Sequence, residues 1–119
     1  MYNFNETNII DSLEELVDDE LDHLGFGVIG FDKNTFIRRY NYKEEELSGY
    51  KREHLLGKPF FSEVAPCMDN YRVALRFLQE AELDVTIPYL LALKIKPVRV
   101  QLRLLKQSTC PLRFILVQK

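Results

Sequence analysis

Lys58–Asn70 reads KPFFSEVAPCMDN. Two aromatic residues precede a short polar break, and then come Val64, Ala65, Pro66 and Cys67. Proline fixes its own φ and drives the residue before it toward an extended conformation. Cys67 is therefore presented from a stiff turn, with Phe60 and Phe61 upstream as candidate core anchors. From its own residues the cysteine has two readings. It is a small apolar core group, the commoner fate of a free cysteine, or it is a thiol held in one place and still reachable for chemistry.

Working outward, the chain upstream reads as a hairpin. Gly25–Phe31, GFGVIGF, predicts a strand; Asp32, Lys33 and Asn34 predict a turn; Thr35–Tyr40 predicts the returning strand. Lys43–Ser48 is a short acidic helical turn closed by Gly49, and Arg52–Leu56 a second one closed by Gly57. Downstream, Asn70–Glu82 has the best helical pattern in the chain. Asp69 or Asn70 can cap it, and Val73, Ala74, Phe77, Leu78 and Ala81 form one apolar stripe. Leu83–Leu93 and Ile95–Lys106 then read as strands. In the second, Val98, Val100, Leu102 and Leu104 alternate with Arg99, Gln101, Arg103 and Leu105, which predicts one buried and one wet face. A turn over Gln107–Pro111 leads to a last strand, Leu112–Lys119. The order β-β-α-α-α-β-β-β predicts an α+β domain.

Before all this stands an acidic segment. Ile9, Leu13, Leu16, Val17 and Leu21 recur at helical spacing among acids, which predicts one amphipathic helix or two short ones, capped by Asp11 or Ser12. Its acids read as a solvated face. The chain has 119 residues, 46% hydrophobic, with a formal net charge of −2. That fits a single domain able to bury a core and gives no basic signal for nucleic acid. Cys67 and Cys110 have neither metal-ligand nor disulfide-framework spacing. The start lacks the pattern of a signal peptide, and no apolar run approaches the ~20 residues of a membrane helix. A soluble, cytoplasmic protein is expected. His23 and His54 are expected at the surface. With no phosphate loop, metal constellation or nucleophilic triad, an enzyme is not expected.

FF-x-x-VAPC resembles the chromophore-attachment segment of the photoactive yellow protein family, blue-light receptors of PAS fold. LDHLGFGVIGFD (Leu21–Asp32) resembles that family's first core strand. RYN (Arg39–Asn41), Glu44, LSG (Leu47–Gly49) and LLGKPFF (Leu55–Phe61) follow in the family's order, without a gap from about Leu21 to Phe77. The resemblance implies a PAS fold: a five-stranded antiparallel sheet with helices on one side. It also implies an N-terminal helical cap over 1–20 and a single PAS domain over 21–119. It further implies p-coumaric acid (4-hydroxycinnamic acid) thioester-linked to Cys67. Tyr40 and a neutral Glu44 would hydrogen-bond its phenolate, and the Ser48 hydroxyl would lie behind the tyrosine. Burial and a neighbouring phenolate both raise a carboxyl pKa, so a neutral donor there is chemically reasonable. From its own stretch, Glu44 opens a run of three glutamates, which reads as a solvated helix face.

The chain departs from the family pattern in places. Tyr50 stands where a lid arginine follows the glycine of the LSG-like motif, with Arg52 two residues on. Met68 follows the cysteine in place of threonine. The loop before the third strand is several residues shorter. Leu91 and Leu93 take the places of an aromatic and of a methionine that helps reverse isomerisation, leaving an apolar pocket wall. Two functions follow. The first is light sensing through Cys67, with output to an unidentified downstream signalling protein. The second is a PAS signalling module without pigment, in which Cys67 is core. It would act by protein–protein interaction or as a homodimer through Ile9, Leu13 and Leu16 and the strand Tyr89–Ile95.

Overall fold

The computed structural model describes residues 2–92 and 96–119. Five strands form one antiparallel sheet: β1 (Gly27–Phe31), β2 (Ile37–Tyr40), β3 (Leu83–Leu91), β4 (Val98–Lys106) and β5 (Arg113–Gln118), in spatial order β2-β1-β5-β4-β3. The chain thus makes a hairpin, crosses over through the helical segments, and returns as a three-strand meander whose last strand pairs with β1. The crossover contains α3 (Tyr42–Ser48), a 3-10 turn (Arg52–His54), a π-helical turn (Phe60–Val64), a second 3-10 turn (Pro66–Met68) and α4 (Ala74–Gln79). The expected five-stranded sheet with helices against it is the architecture found.

The sheet is covered on both faces. One face meets the crossover in a core of Ile29, Phe31, Tyr40, Phe60, Phe61, Met68, Phe77, Leu102, Ile115 and their neighbours. Phe31 is its centre, with ring centroids of Phe60, Phe61 and Phe77 at 5.8, 5.3 and 5.0 Å. The other face meets the N-terminal segment, α1 (Ile9–Glu15) and α2 (Asp18–Leu21). There Phe4, Ile9, Leu13 and Leu21 pack on Phe26, Val28, Phe114 and Leu116. All five residues of β1 are consequently buried, as a strand with both faces covered must be.

Two arginines fasten this cap. Arg103, only 6% exposed, holds Asp84 through two bonds of 2.8 and 2.9 Å and donates to the carbonyls of Phe4 (2.9 Å) and Glu6 (2.8 Å). Arg39 donates to the carbonyls of Leu13 (3.3 Å) and Leu16 (2.7 Å) at the end of α1, and pairs with Asp18. The wet face expected of β4 therefore needs correction. Arg99 and Gln101 are exposed, but Arg103 and Leu105 lie buried under the cap.

Other expectations shift for local reasons. The cap does form two short helices, but α1 begins after Asn8 in the left-handed region (φ 55°) with no side-chain cap, so neither Asp11 nor Ser12 performs that role. The helix expected over 70–82 shrinks to α4. Asn70 Oδ1 accepts the Arg72 and Val73 N–H groups in a side-chain turn, and Val73 is not helical (φ −123°, ψ −74°). So short a helix presents one side to the sheet. Val73 and Phe77 are buried, whereas Leu78 is 79% exposed and Ala81 lies beyond the helix. Ile9 and Leu13 are spent on the chain's own sheet, with Leu16 packed beside them, so they do not offer the homodimer surface expected of them. Leu93 and Ile95 lie outside the described residues.

Asn41 joins the layers. Its Oδ1 accepts the N–H of Val28 (2.8 Å) and of Glu44 (3.1 Å), and its Nδ2 donates to the carbonyls of Leu21 (2.9 Å) and Phe26 (3.0 Å). Asn41→Ala leaves these four groups without their partner. A buried unsatisfied group costs about 1–3 kcal/mol, so urea unfolding should show a loss of roughly 3 kcal/mol or more. A loss below about 1 kcal/mol would mean the groups find other partners. For the cap, Arg103→Gln should speed exchange of the Glu6 amide, measured by hydrogen exchange, while leaving the amides of β1 protected.

Candidate functional site

The carboxyl of Glu44 owes its position to helix periodicity. Asn41 caps α3 and Gly49 closes it in the left-handed region (φ 84°), which fixes the turn in between. Residues four apart share a helix face, and Glu44 and Ser48 are the two buried residues of α3. Glu45 turns instead toward the Arg52 backbone, accepting its N–H at 2.7 Å. Glu46 faces solvent beside Lys43. The acidic run is thus divided by its own helix, and only its first member enters the protein.

Glu44 is 0% exposed. Neither carboxyl oxygen has a hydrogen-bond partner among the described residues. It lies against Gly27 of β1, where any Cβ would collide with its Oε1; only glycine leaves room for the carboxyl. Burial pushes its pKa up to about 8, offset in part by the nearby Tyr40 hydroxyl. That hydroxyl helps electrostatically but does not form a hydrogen bond of ordinary geometry. Tyr40, buried at the end of β2, shares a 2.6 Å hydrogen bond with Ser48 Oγ, and Ser48 Oγ also accepts the Tyr50 N–H at 3.2 Å. Burial, followed by the charge of Glu44, drives the Tyr40 phenol well above its ordinary pKa. At neutral pH both side chains keep their protons. The interior thus holds two neutral O–H groups, one with its oxygen anchored from behind and one unpartnered.

The segment carrying Cys67 is stitched in place. Residues 57–60 run beside β2: Gly57 N–H donates to the Ile37 carbonyl, Ile37 N–H to Lys58 and Phe60 N–H to Thr35. The π-helical turn and the 3-10 turn then carry Cys67 to the core, where it is half-buried and packs against the cluster that contains Tyr40, Phe61 and Leu91. Its carbonyl accepts two hydrogen bonds, from Tyr89 Oη at 2.6 Å and from Asn70 Nδ2 at 3.0 Å. Asn70 Nδ2 also donates to Tyr89 Oη at 2.7 Å. This clasp leaves the position of Cys67 little freedom.

Tyr40, Glu44 and Ser48 therefore meet where β2 runs into α3, and Cys67 packs against the same core cluster as Tyr40. Arg52 does not join them; Asp22 holds it at 2.9 Å and Glu45 at 3.7 Å. Tyr50, by contrast, packs against the core cluster. His23 and His54 are exposed, and among the described residues no group of three His, Cys, Asp or Glu could hold a metal. Sequence reading missed Asn41, Gly27 and the Asn70–Tyr89 clasp. Asn41 was available as an N-cap three residues before Glu44. The clasp joins Tyr89 to Asn70 and Cys67, 19 and 22 residues away in sequence, and leaves no local signature.

The chain matches the PAS fold family over residues 15–107. It is 28% identical over 122 aligned positions to photoactive yellow protein of Rhodothalassium salexigens, covering 100% of this chain and 98% of that protein. It is 30% identical over 106 positions to photoactive yellow protein of Halochromatium salexigens, covering 87% and 85%. The photoactive yellow protein domain of the sensor histidine kinase Ppr from Rhodospirillum centenum superposes with a TM-score of 0.81 at 33% identity, over 93% of this chain and 97% of that one.

The buried carboxyl has a measurable pH signature. The folded protein keeps the Glu44 proton that the unfolded chain releases around its ordinary value of 4.5. The stability associated with that proton is present below this value and is lost as pH rises toward about 8. Urea midpoints of the wild type should therefore fall relative to those of Glu44→Gln across this interval and then run parallel. Parallel curves throughout would show that Glu44 is ionised and solvated.

Proposed function

This chain belongs to the photoactive yellow protein family within the PAS fold, and we propose that it is a blue-light sensor using p-coumaric acid held as a thioester on Cys67. The observation that carries this reading is the unpartnered, buried carboxyl of Glu44 beside the anchored Tyr40 hydroxyl. A neutral carboxyl without a partner, beside a hydroxyl whose oxygen is held by Ser48, suits an anionic oxygen from a bound group, because such bonds are the strong ones. A buried anion needs partners of this kind. The group itself supplies blue absorption, a phenolate and a double bond that isomerises with light.

The chain's own residues do the rest. The Asn70–Tyr89 clasp holds Cys67 at a fixed point. Ser48 orients the Tyr40 oxygen from behind. Glu44 stores a proton at its carboxyl in a site without water contact. When that proton leaves, the interior holds a new charge against Gly27 that no hydrogen bond among the described residues compensates. An uncompensated buried charge is costly and is relieved by opening the structure around it. The strain falls on α3 and so on its cap Asn41, which also grips Leu21 at the end of the N-terminal cap. In this reading residues 1–20 form the segment that responds and 21–119 the sensory body.

The domain of known structure from Ppr belongs to a sensor histidine kinase; by analogy we read the output here as a contact with a signalling partner, in the cytoplasm, rather than a reaction. Among the described residues no helix is long and apolar enough to cross a membrane. The second reading is a PAS signalling module without pigment. It is favoured by the half-buried packing of Cys67 against the core cluster.

Treating the purified protein with p-coumaric anhydride separates the two. Light sensing requires a new visible absorption band that is absent in Cys67→Ala and bleaches under blue light. Light-minus-dark infrared spectra should then lose a protonated carboxylic C=O signal in the wild type and not in Glu44→Gln. No band, or one indifferent to Cys67, leaves the module without pigment as the reading.

A further inference from the structure

The structure assigns a second binding site to this chain, in a cleft that Cys67 does not line, for a small molecule with an apolar body and a carboxylate. A cleft of about 650 Å³ opens where the ends of β1, β4 and β5 meet α4 and the residues following Cys67. That size lies within the roughly 300–1,000 Å³ of small-molecule sites. Its floor is the aromatic cluster seen from outside, with Phe31, Phe61 and Phe77. Its wall is the outward side of α4 and the turn before it. Tyr71, Leu75 and Leu78, spaced about one helical turn apart, stand 75%, 38% and 79% exposed. Apolar groups so exposed along one wall of a cleft mark a surface with something to bind.

The rim supplies the charge. Lys33 from the β1–β2 turn, Lys106 from the end of β4 and Arg113 from the start of β5 all line the cleft. Among the described residues none of the three forms an ion pair. Lys106 Nζ donates to the Phe77 carbonyl at 2.7 Å, which keeps the ammonium at the cleft with its charge unmatched. Arg113 Nη1 reaches only the Pro111 carbonyl, at 3.2 Å. Of the two acids that line the cleft, Asp32 is taken by Arg38 and by the N–H groups of Asn34 and Phe36. Asp69 remains against three cations. Arginine and lysine beside an apolar floor fit a ligand with one anionic end, because charge-assisted hydrogen bonds to a carboxylate are the strong kind.

The probe is decanoate, with decanol as its uncharged counterpart, followed by amide and methyl NMR of the full chain. Decanoate should give saturable shifts centred on Phe31, Phe61, Leu75, Leu78, Lys106 and Arg113, and should bind about tenfold more tightly than decanol. The double variant Lys106→Gln, Arg113→Gln should lose that preference while still binding decanol. Leu78→Ser, at an exposed position that leaves folding intact, should weaken both. Equal affinity for the two probes would overturn the carboxylate class. Shifts centred elsewhere, or none that saturate, would overturn the site. Both probes bear on the cleft alone, so the outcome is independent of whether Cys67 takes a pigment.

Discussion

Asn41 is fully buried and makes four side-chain hydrogen bonds to the backbone of three segments. No apolar residue of similar size could serve there, because each of those peptide groups would be left dry and unpaired. The amide therefore dictates how the end of the cap, the start of β1 and the first turn of α3 meet. Everything placed by α3 inherits that geometry. Tyr40 precedes Asn41 at the end of β2, and Glu44 and Ser48 follow it at helical spacing. One side chain thus indexes Tyr40, Glu44 and Ser48 against the sheet, and the opposite face of the sheet against the cap.

Glu44 shows the contrasting case. Asn41 is satisfied completely; Glu44 is buried as completely and finds no hydrogen-bond partner among the described residues. Such an orphan costs stability, and the fold makes room for it rather than expelling it, with Gly27 beneath and a helix fixed at both ends above. Local rules of foldability are broken at functional positions. The break here is confined to one carboxyl, while Tyr40, Ser48 and the Cys67 carbonyl all have partners.

Much of the architecture was legible because alternation and turn chemistry are local. The β1–β2 hairpin, the glycine-closed α3 and the meander at the end follow from such signals. What failed was whatever depended on the other side of the sheet. Arg103 and Leu105 read as wet because the sequence of β4 does not show that a cap lies over them. Ile9 and Leu13 read as an open surface for the same reason. The helix over 70–82 was overestimated because the Asn70 side-chain turn competes with helix at its start. Of the site, Tyr40, Glu44, Ser48 and Cys67 were legible through resemblance, since the residues of Glu44-Glu45-Glu46 alone point to solvent. The Asn70–Tyr89 clasp was not legible, because it is a contact across the fold.

The cap is fastened in an unusual way with respect to its own sequence. Arg103 and Arg39 grip main-chain carbonyls of residues 4, 6, 13 and 16, and a carbonyl is the same whatever side chain it carries. Part of the information for attachment is therefore written in β2 and β4, alongside the apolar side chains that the segment itself packs on the sheet. A position such as Glu6 is free to drift, or to be exchanged for that of another lineage, without loosening that grip. A segment released from that constraint can take its side chains from a partner's requirements while its docking to the body stays inherited.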